Sequence, residues 1–323
     1  MNDVKSRYGE RKGEIIRNIY AKYGMWIILL GMIILMMCLS DRFLSPNNIL
    51  NLVRQVSFIA IIGFGSAMVL ICGGLDLSPG ALMAVVSVVS ASFAQGEYPV
   101  IVAILVGLAV GLAGGLINGL LITKLNVPPF IATLGMMTAA KGVAMLYSDG
   151  NSVGGLLPSY KVLGGGRVFG IPIPIIIMFA LAGLMYLLLN HTPYGRHVVA
   201  VGDNEQAAKI SGIKTGYVTL SVYVIAGVLA AIASILMSGR IASGQPLLGD
   251  GYEMDAISAA VVGGVSLQGG VGSIWGVICG ALIIGIINNG MDLIGVSSYW
   301  QQIVKGVIIV VAIVLDQLKN IRD

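Results

Sequence analysis

The residues of this chain that could do chemistry are few and far apart. Its two histidines, His191 and His197, share one short hydrophilic stretch, and its three cysteines, Cys38, Cys72 and Cys279, all fall inside apolar runs. An odd cysteine count at such positions argues against a disulfide framework or a metal site and for small apolar packing residues. No GxxxxGK[ST] phosphate loop occurs, and GGGRVFG (164–170) lacks the strand–helix context of a nucleotide site. No catalytic cluster and no cofactor are expected. What remains are amides and aromatics in apolar surroundings: Asn118, Asn288, Asn289, Gln301 and Gln302, with Tyr299 and Trp300 beside the last two. Such groups hydrogen-bond hydroxyls and offer flat apolar faces, as a neutral polyol requires; they equally serve interhelical hydrogen bonding and interfacial anchoring.

One carboxylate stands out. Asp76 lies in GGLDLSPG (73–80) between two apolar runs, with Ser78 two residues on. Ionisable groups near membrane depth usually face a cavity or a partner, and interrupted helices place polar backbone near substrate paths. The other reading is a tight turn in which Asp76 is solvated and Ser78 caps the next helix. A similar string, GGVSLQGG (263–270), suggests an internal repeat. Lys141 and Lys305, both inside apolar runs, are expected to snorkel or to pair.

The elements that must hold these groups are set by composition. Of 323 residues, 57% are hydrophobic and 11% charged, against about 25% charged in soluble domains, and mean hydropathy is +0.92. The chain therefore reads as one all-α polytopic membrane domain over 1–323, with lipid as the solvent. Ten spans are predicted, at 23–40, 56–73, 79–95, 99–122, 129–147, 172–190, 216–238, 252–266, 272–290 and 299–316. The basic start leads into an apolar run too long for a cleavable signal peptide. Placing both termini in the cytoplasm puts Lys5, Arg7, Arg11, Lys12, Arg17, Lys22, Lys124, Arg196, Lys209, Lys214, Lys319 and Arg322 inside. Arg42, Arg54, Lys161, Arg167 and Arg240 then lie outside, twelve cations against five, as the positive-inside rule requires. The tail 1–22 and the loop 191–214 are cytoplasmic in this arrangement, and an irregular Gly- and Pro-rich loop, 148–171, is external.

Ser45-Pro46 and Ser78-Pro79 both read as a cap followed by proline at the first helical position. The first opens an amphipathic stretch, NNILNLVRQVSF (47–58), expected to lie in the interface before the second span. Gly107, Gly111, Gly115 and Gly119 recur every four residues along one face of the fourth span, as do Gly272, Gly276 and Gly280 in the ninth. Small residues at this spacing let helix backbones approach closely, within the bundle or at a dimer seam.

The loop 191–214 carries the most specific pattern. Glu205, Ala207, Ala208 and, four residues on, Gly212 resemble the EAA-type loop by which ABC importer permeases dock their ATPase subunits. EQAAKI (205–210) can form a short helix that Gly212 ends. Taken with FLSPNNILNL, GGLDLSPG, LNVPPFIATLG, HTPYGR followed by VGDNEQAAKISGI, YEMDAISAAVVGGVSLQGGVGS and GVSSYWQQIVKGVIIVVAIVLD, the chain resembles ribose-type and galactose-type bacterial ABC permeases over nearly its whole length. Pro79 departs from the family's commoner Val. The resemblance implies a ten-span fold like that of vitamin B12 importers and a bacterial inner-membrane location. It further implies ATPase subunits, an extracytoplasmic sugar-binding protein and a second permease copy as partners, with no nucleic acid. The competing reading is an ion-coupled secondary transporter of a small polar solute. That would need a buried acidic relay, and the predicted spans hold hardly any carboxylate.

Overall fold

The structure, a computed structural model, describes residues 26–320; the tail 1–22 and Arg322 lie outside the described residues. The chain is almost entirely helical. In order come α1 (Trp26–Leu39), α2 (Pro46–Ile71), α3 (Pro79–Phe93), α4 (Val100–Lys124), α5 (Pro129–Ser148) and α6 (Pro158–Gly165). A two-residue hairpin, β1 (Arg167–Val168) and β2 (Ile171–Pro172), leads to α7 (Ile173–His191), α8 (Pro193–Asp203) and α9 (Glu205–Ile210). Last are α10 (Thr215–Ile241), α11 (Tyr252–Val262), α12 (Ile274–Leu293) and α13 (Ser298–Asn320). Among the described residues six helices, α2, α4, α5, α7, α10 and α12, are long and apolar enough to cross a membrane.

The bundle is built around α2, which packs against α7, α10, α11 and α12 and is buried almost without interruption from Val56 to Ile71. α4 and α7 carry the opposite pattern, with Ile101, Leu105, Leu112, Leu184 and Leu187 turned outward. An aliphatic outer face is what lipid solvation permits. The glycine stripe of α4 is answered within the chain. A Cβ at Gly111 would strike the Gly227 carbonyl of α10, one at Gly115 the Tyr223 carbonyl, and one at Gly119 would lie 3.0 Å from Leu220. The stripe therefore seats α10 and is not a dimer seam. Gly276 and Gly280 likewise seat α11 against α12, while Gly272 precedes the Ser273 cap of α12 and lies against Ile71.

Several expectations are corrected. The stretch 47–58 does not lie apart in the interface: the Ser45 hydroxyl accepts from the Asn48 amide, Pro46 occupies the first turn, and the helix runs on unbroken to Ile71. The segment 148–171 is not irregular throughout. Pro158 opens α6, which lays Gly164 on the backbone of α10, and Phe169 and Gly170, both at positive φ, close the β1–β2 hairpin. Cys72 and Cys279 are buried as packing residues, but Cys38 is exposed on α1. The repeat also fails. Gly73 and Gly264, not Gly73 and Gly263, occupy the same position at a helix end, and the same hydrogen-bond pattern closes α9 and α12. It marks helix ends generally. Beyond it the chains diverge: 75–78 runs into the bundle, whereas 265–271 folds back, Ser266 N–H bonding the Val271 carbonyl at 3.0 Å.

Two elements are too short to cross as helix alone. At 1.5 Å per residue α3 is about 22 Å long and α11 about 16 Å, against a hydrocarbon core of about 30 Å. Their N-termini meet inside the bundle, Gly80 of α3 packing against the Gly249 carbonyl and the Glu253 carboxylate of α11's first turn. The backbone before each, 72–78 and 242–251, is non-helical. At the far ends, connections sort into two groups. The Gly270 amide bonds the Ile71 carbonyl at 2.9 Å, and Gly202 packs on both. At the other end of α10, Leu157 N–H bonds the Ala94 carbonyl and Val153 pairs with Gly244. The connections at 72–74, 202 and 270 thus lie together at one end of the bundle, and those at 94, 153–157 and 244 together at the other.

Candidate functional site

The first constellation is the turn entering α3. Asp76 is buried, and one of its oxygens accepts both the Ser78 amide, at 2.8 Å, and the Ser78 hydroxyl, at 2.6 Å. The Asn118 amide of α4 donates to that hydroxyl at 2.9 Å. The Leu75 carbonyl accepts from Thr133 of α5, at 3.3 Å, and from Tyr223 of α10, at 3.4 Å. Four helices are therefore tied to one non-helical turn. This corrects both readings of Ser78 as cap and Asp76 as a solvated turn residue. Ser78 is helical in backbone and makes no capping bond; Asp76 takes the capping role two residues earlier. Asp76, Ser78 and Asn118, three of the path candidates, converge in a buried polar network, and the Asn118 side-chain oxygen has no partner among the described residues.

The second constellation was not foreseen. Glu253 and Asp255 stand in the first turn of α11 and are both buried. Asp255 pairs with Lys305 of α13 at 2.9 Å and accepts from Asn288 of α12 at 3.5 Å. One Glu253 oxygen, against Gly80, has no partner. The signal was present in YEMDAISAAVV, two carboxylates opening an apolar run, so the expectation of hardly any carboxylate in the spans is corrected. Lys305 pairs as expected, and so does Lys141, with Asp250 at 2.6 Å. The other candidates are scattered. Asn289 exchanges two hydrogen bonds of 2.9 Å with Asn48, Gln301 bonds Asp292 at 2.7 Å, and Tyr299 is exposed. The first two staple helix ends rather than join the Asp76 network.

The third constellation is the loop 191–214, which is two helices at an angle. Thr192 caps α8 through the Gly195 amide, and Asn204 caps α9 through the Ala207 amide at 2.9 Å. Gly212, at φ +85, ends α9, its amide bonding the Lys209 carbonyl and that of Ile213 the Ala208 carbonyl. Ala208 is buried beneath, while Glu205, Ala207 and Ile210 face out, Ile210 being 88% exposed. α8 is fixed from below. Tyr194 shares a 2.7 Å hydrogen bond with Ser221 of α10, and burial pushes its phenol above the ordinary value, keeping it neutral. At its far end Gly202 lies so close that a Cβ would strike the Ile71 carbonyl and come within 2.8 Å of the Gly270 amide. The loop is a platform keyed by backbone contacts to the end of α2, immediately before the Asp76 turn.

Comparison with known proteins shows similarity to permeases over nearly the whole chain. The family model described as branched-chain amino acid transport system / permease component matches residues 48–313. The ribose import permease protein RbsC of Bacillus subtilis is 44% identical over 313 residues, 96% of this chain and 97% of the relative. That of Escherichia coli K12 is 42% identical over 298 residues, 91% and 93% of the two chains. The galactose/methyl galactoside import permease protein MglC of Haemophilus influenzae is 40% identical over 318 residues, 93% and 94%. No solved structure matches.

Proposed function

Since the chain belongs to the branched-chain amino acid transport system / permease component family, we propose that it is the membrane-spanning permease subunit of an ATP-driven ABC importer for a monosaccharide of the ribose or galactose type. The observation that carries this is near-full-length similarity to permeases whose names specify sugar import. It is a multi-pass inner-membrane protein. With α1–α5, α7 and α10–α13 as ten spans, in a fold of the vitamin B12 importer type, both termini are cytoplasmic. ATP is hydrolysed by partner subunits, an extracytoplasmic binding protein delivers the sugar, and a second copy completes the pore. The buried Glu253 and Asp255 do not make an ion-coupled carrier the better reading, because the family is one of transport-system permeases.

The α8–α9 platform is the ATPase dock. Glu205 and Ala207 are presented outward, Ala208 anchors the helix, and Gly212 turns the chain toward α10. Gly212→Asp forces a non-glycine residue into φ +85 and adds a charge to a packed interface, where an unpaired charge is costly. The variant is expected to reach the membrane yet lose ATPase co-purification and sugar uptake in vesicles holding ATPase and binding protein. Wild-type values for this variant and for Glu205→Lys would remove the docking assignment.

The Asp76 network positions the entry to α3 and moves with the dock. Asp76→Asn retains an oxygen to accept from Ser78 but removes the charge. If the charge matters to gating, uptake falls while expression and ATPase assembly stay normal; unchanged uptake reduces Asp76 to a cap.

A further inference from the structure

Three arginines converge at the end of the bundle away from the dock. Arg54 of α2, Arg167 of β1 and Arg240 in the last turn of α10 stand close enough that the other two guanidinium charges act on Arg54. None of the three side chains has a hydrogen bond or ion pair among the described residues, whose two ion pairs lie elsewhere. Arg240 is partly compensated by the C-terminal end of α10 and by the Phe58 ring, whose centre lies 5.8 Å from its guanidinium carbon. Arg54 is not: its Nε is buried without an acceptor, and no carboxylate is among the charges that act on it. Like charges gathered without a counter-charge repel one another, and an anion from outside the chain turns that repulsion into binding.

The helices fix the depth of the cluster. Arg240 stands one residue from the end of α10, while Ser221 near the other end meets the α8–α9 platform. At 1.5 Å per residue the 27 residues of α10 span about 40 Å, the thickness of a bilayer with its headgroup layers. The 19 residues of α7 span about 29 Å, the hydrocarbon core alone, so the hairpin leading into α7 lies at headgroup level. Arg54 begins deeper, eight residues into α2, but its side chain leans toward the helix N-terminus and hence toward the same layer. The hairpin also stands on the perimeter. β2 packs on α2 and runs into α7, whose outer face exposes Ile176, Phe179, Leu184 and Leu187. At the hairpin tip Phe169 is fully exposed, with exposed Val168 and Ile171 on either side of it.

We propose that Arg54, Arg167 and Arg240 form a site for the phosphate of an anionic phospholipid, with Phe169 and Ile171 laid against the top of its acyl chains. A guanidinium fork matches two phosphate oxygens and is more weakly hydrated than an ammonium, which suits a half-buried site. Apolar side chains beside cations at headgroup depth are the combination by which interfacial segments hold anionic lipid. A lipid therefore satisfies both halves of this surface, the cations and the apolar tip. Bound there, it pins the hairpin to α2 and α10. Such a site depends on the setting of the bundle in a bilayer, not on which solute is carried.

The test uses the full-length chain purified in mild detergent, with binding of phosphatidylglycerol and of zwitterionic phosphatidylcholine read by native mass spectrometry. Each cation at a charged membrane surface is worth about a factor of five, so the wild type should prefer phosphatidylglycerol by at least about 25-fold. Arg167→Gln, on the exposed hairpin, should lose about fivefold of that preference, and Arg167→Gln together with Arg240→Gln should bring the two lipids level. Lys161→Gln, an exposed cation of α6 outside the cluster, should change nothing. An unchanged preference in the double variant, or an equal loss in Lys161→Gln, overturns the site. Displacement of phosphatidylglycerol by an equal concentration of inorganic phosphate would reduce it to a free-anion site. Loss of salt-dependent capture of the sugar-binding protein, with phosphatidylglycerol affinity intact, would assign the cluster to a protein. Either of these overturns the lipid as occupant. Sugar uptake is not read, so each outcome leaves the permease reading untouched.

Discussion

Gly111→Leu is expected to abolish recovery of the folded permease. The α4–α10 contact is the most extensive between any two helices, and at Gly111 it closes to backbone against side-chain-free backbone. A leucine there meets the Gly227 carbonyl and, at 2.6 Å, the Ala231 methyl, neither of which can swing aside. Overpacking a core costs up to about 3 kcal/mol where side chains can adjust, and this contact offers no such adjustment. Helices in lipid have no hydrophobic effect to hold them together once packing is lost. Yield of monodisperse protein after mild-detergent extraction should fall more than about tenfold, since about 1.4 kcal/mol is already a factor of ten. Gly135→Leu, on α5 with open space about it, serves as the control and should be near wild type. Equal yields for the two would mean that the α4 face is turned to lipid.

Gly202→Val is expected to separate docking from transport. Gly202 does not touch the exposed face of α9; it lies where α8 meets the end of α2 and the 263–270 turn. A β-branched side chain there must displace the Ile71 carbonyl, and with it the Gly270 amide that bonds that carbonyl at 2.9 Å. The Asp76 turn begins at the next residue. Movement of the platform would then no longer reach the turn in register, so uptake should fall at least about tenfold, the loss expected when a rigid contact is misplaced by about 1 Å. ATPase co-purification should persist, because Glu205 and Ala207 remain exposed on α9. Loss of co-purification in parallel would show that Gly202 only supports the dock. Normal uptake would show that coupling bypasses this contact.

These two glycines differ in how far the sequence betrays them. Gly111 belongs to a four-residue period, which is a local signal of a helix face. Gly202 belongs to no pattern; its neighbours in space are 131 and 68 residues away, at Ile71 and Gly270, and only the folded chain brings them within contact. The same contrast runs through the polar residues. Asp76, Ser78 and Asn118 were each visible as polar groups in apolar runs, but their joining through one hydroxyl depends on the packing of α3 against α4. Asn289 and Gln301 looked the same in sequence and turned out to hold helix ends.

By itself the sequence determined the class and most of the helical segments, because apolar length acts locally on each segment. It also determined the short helix 205–210, because Gly212, which ends it, lies within one turn of it. The tertiary structure alone decided that α3 and α11 stop short and meet head to head, and that Lys141 and Asp250, 109 residues apart, form an ion pair. Both depend on residues far apart in the chain whose polar groups find partners only in one packing, and in lipid an unpartnered polar group is too costly for any other.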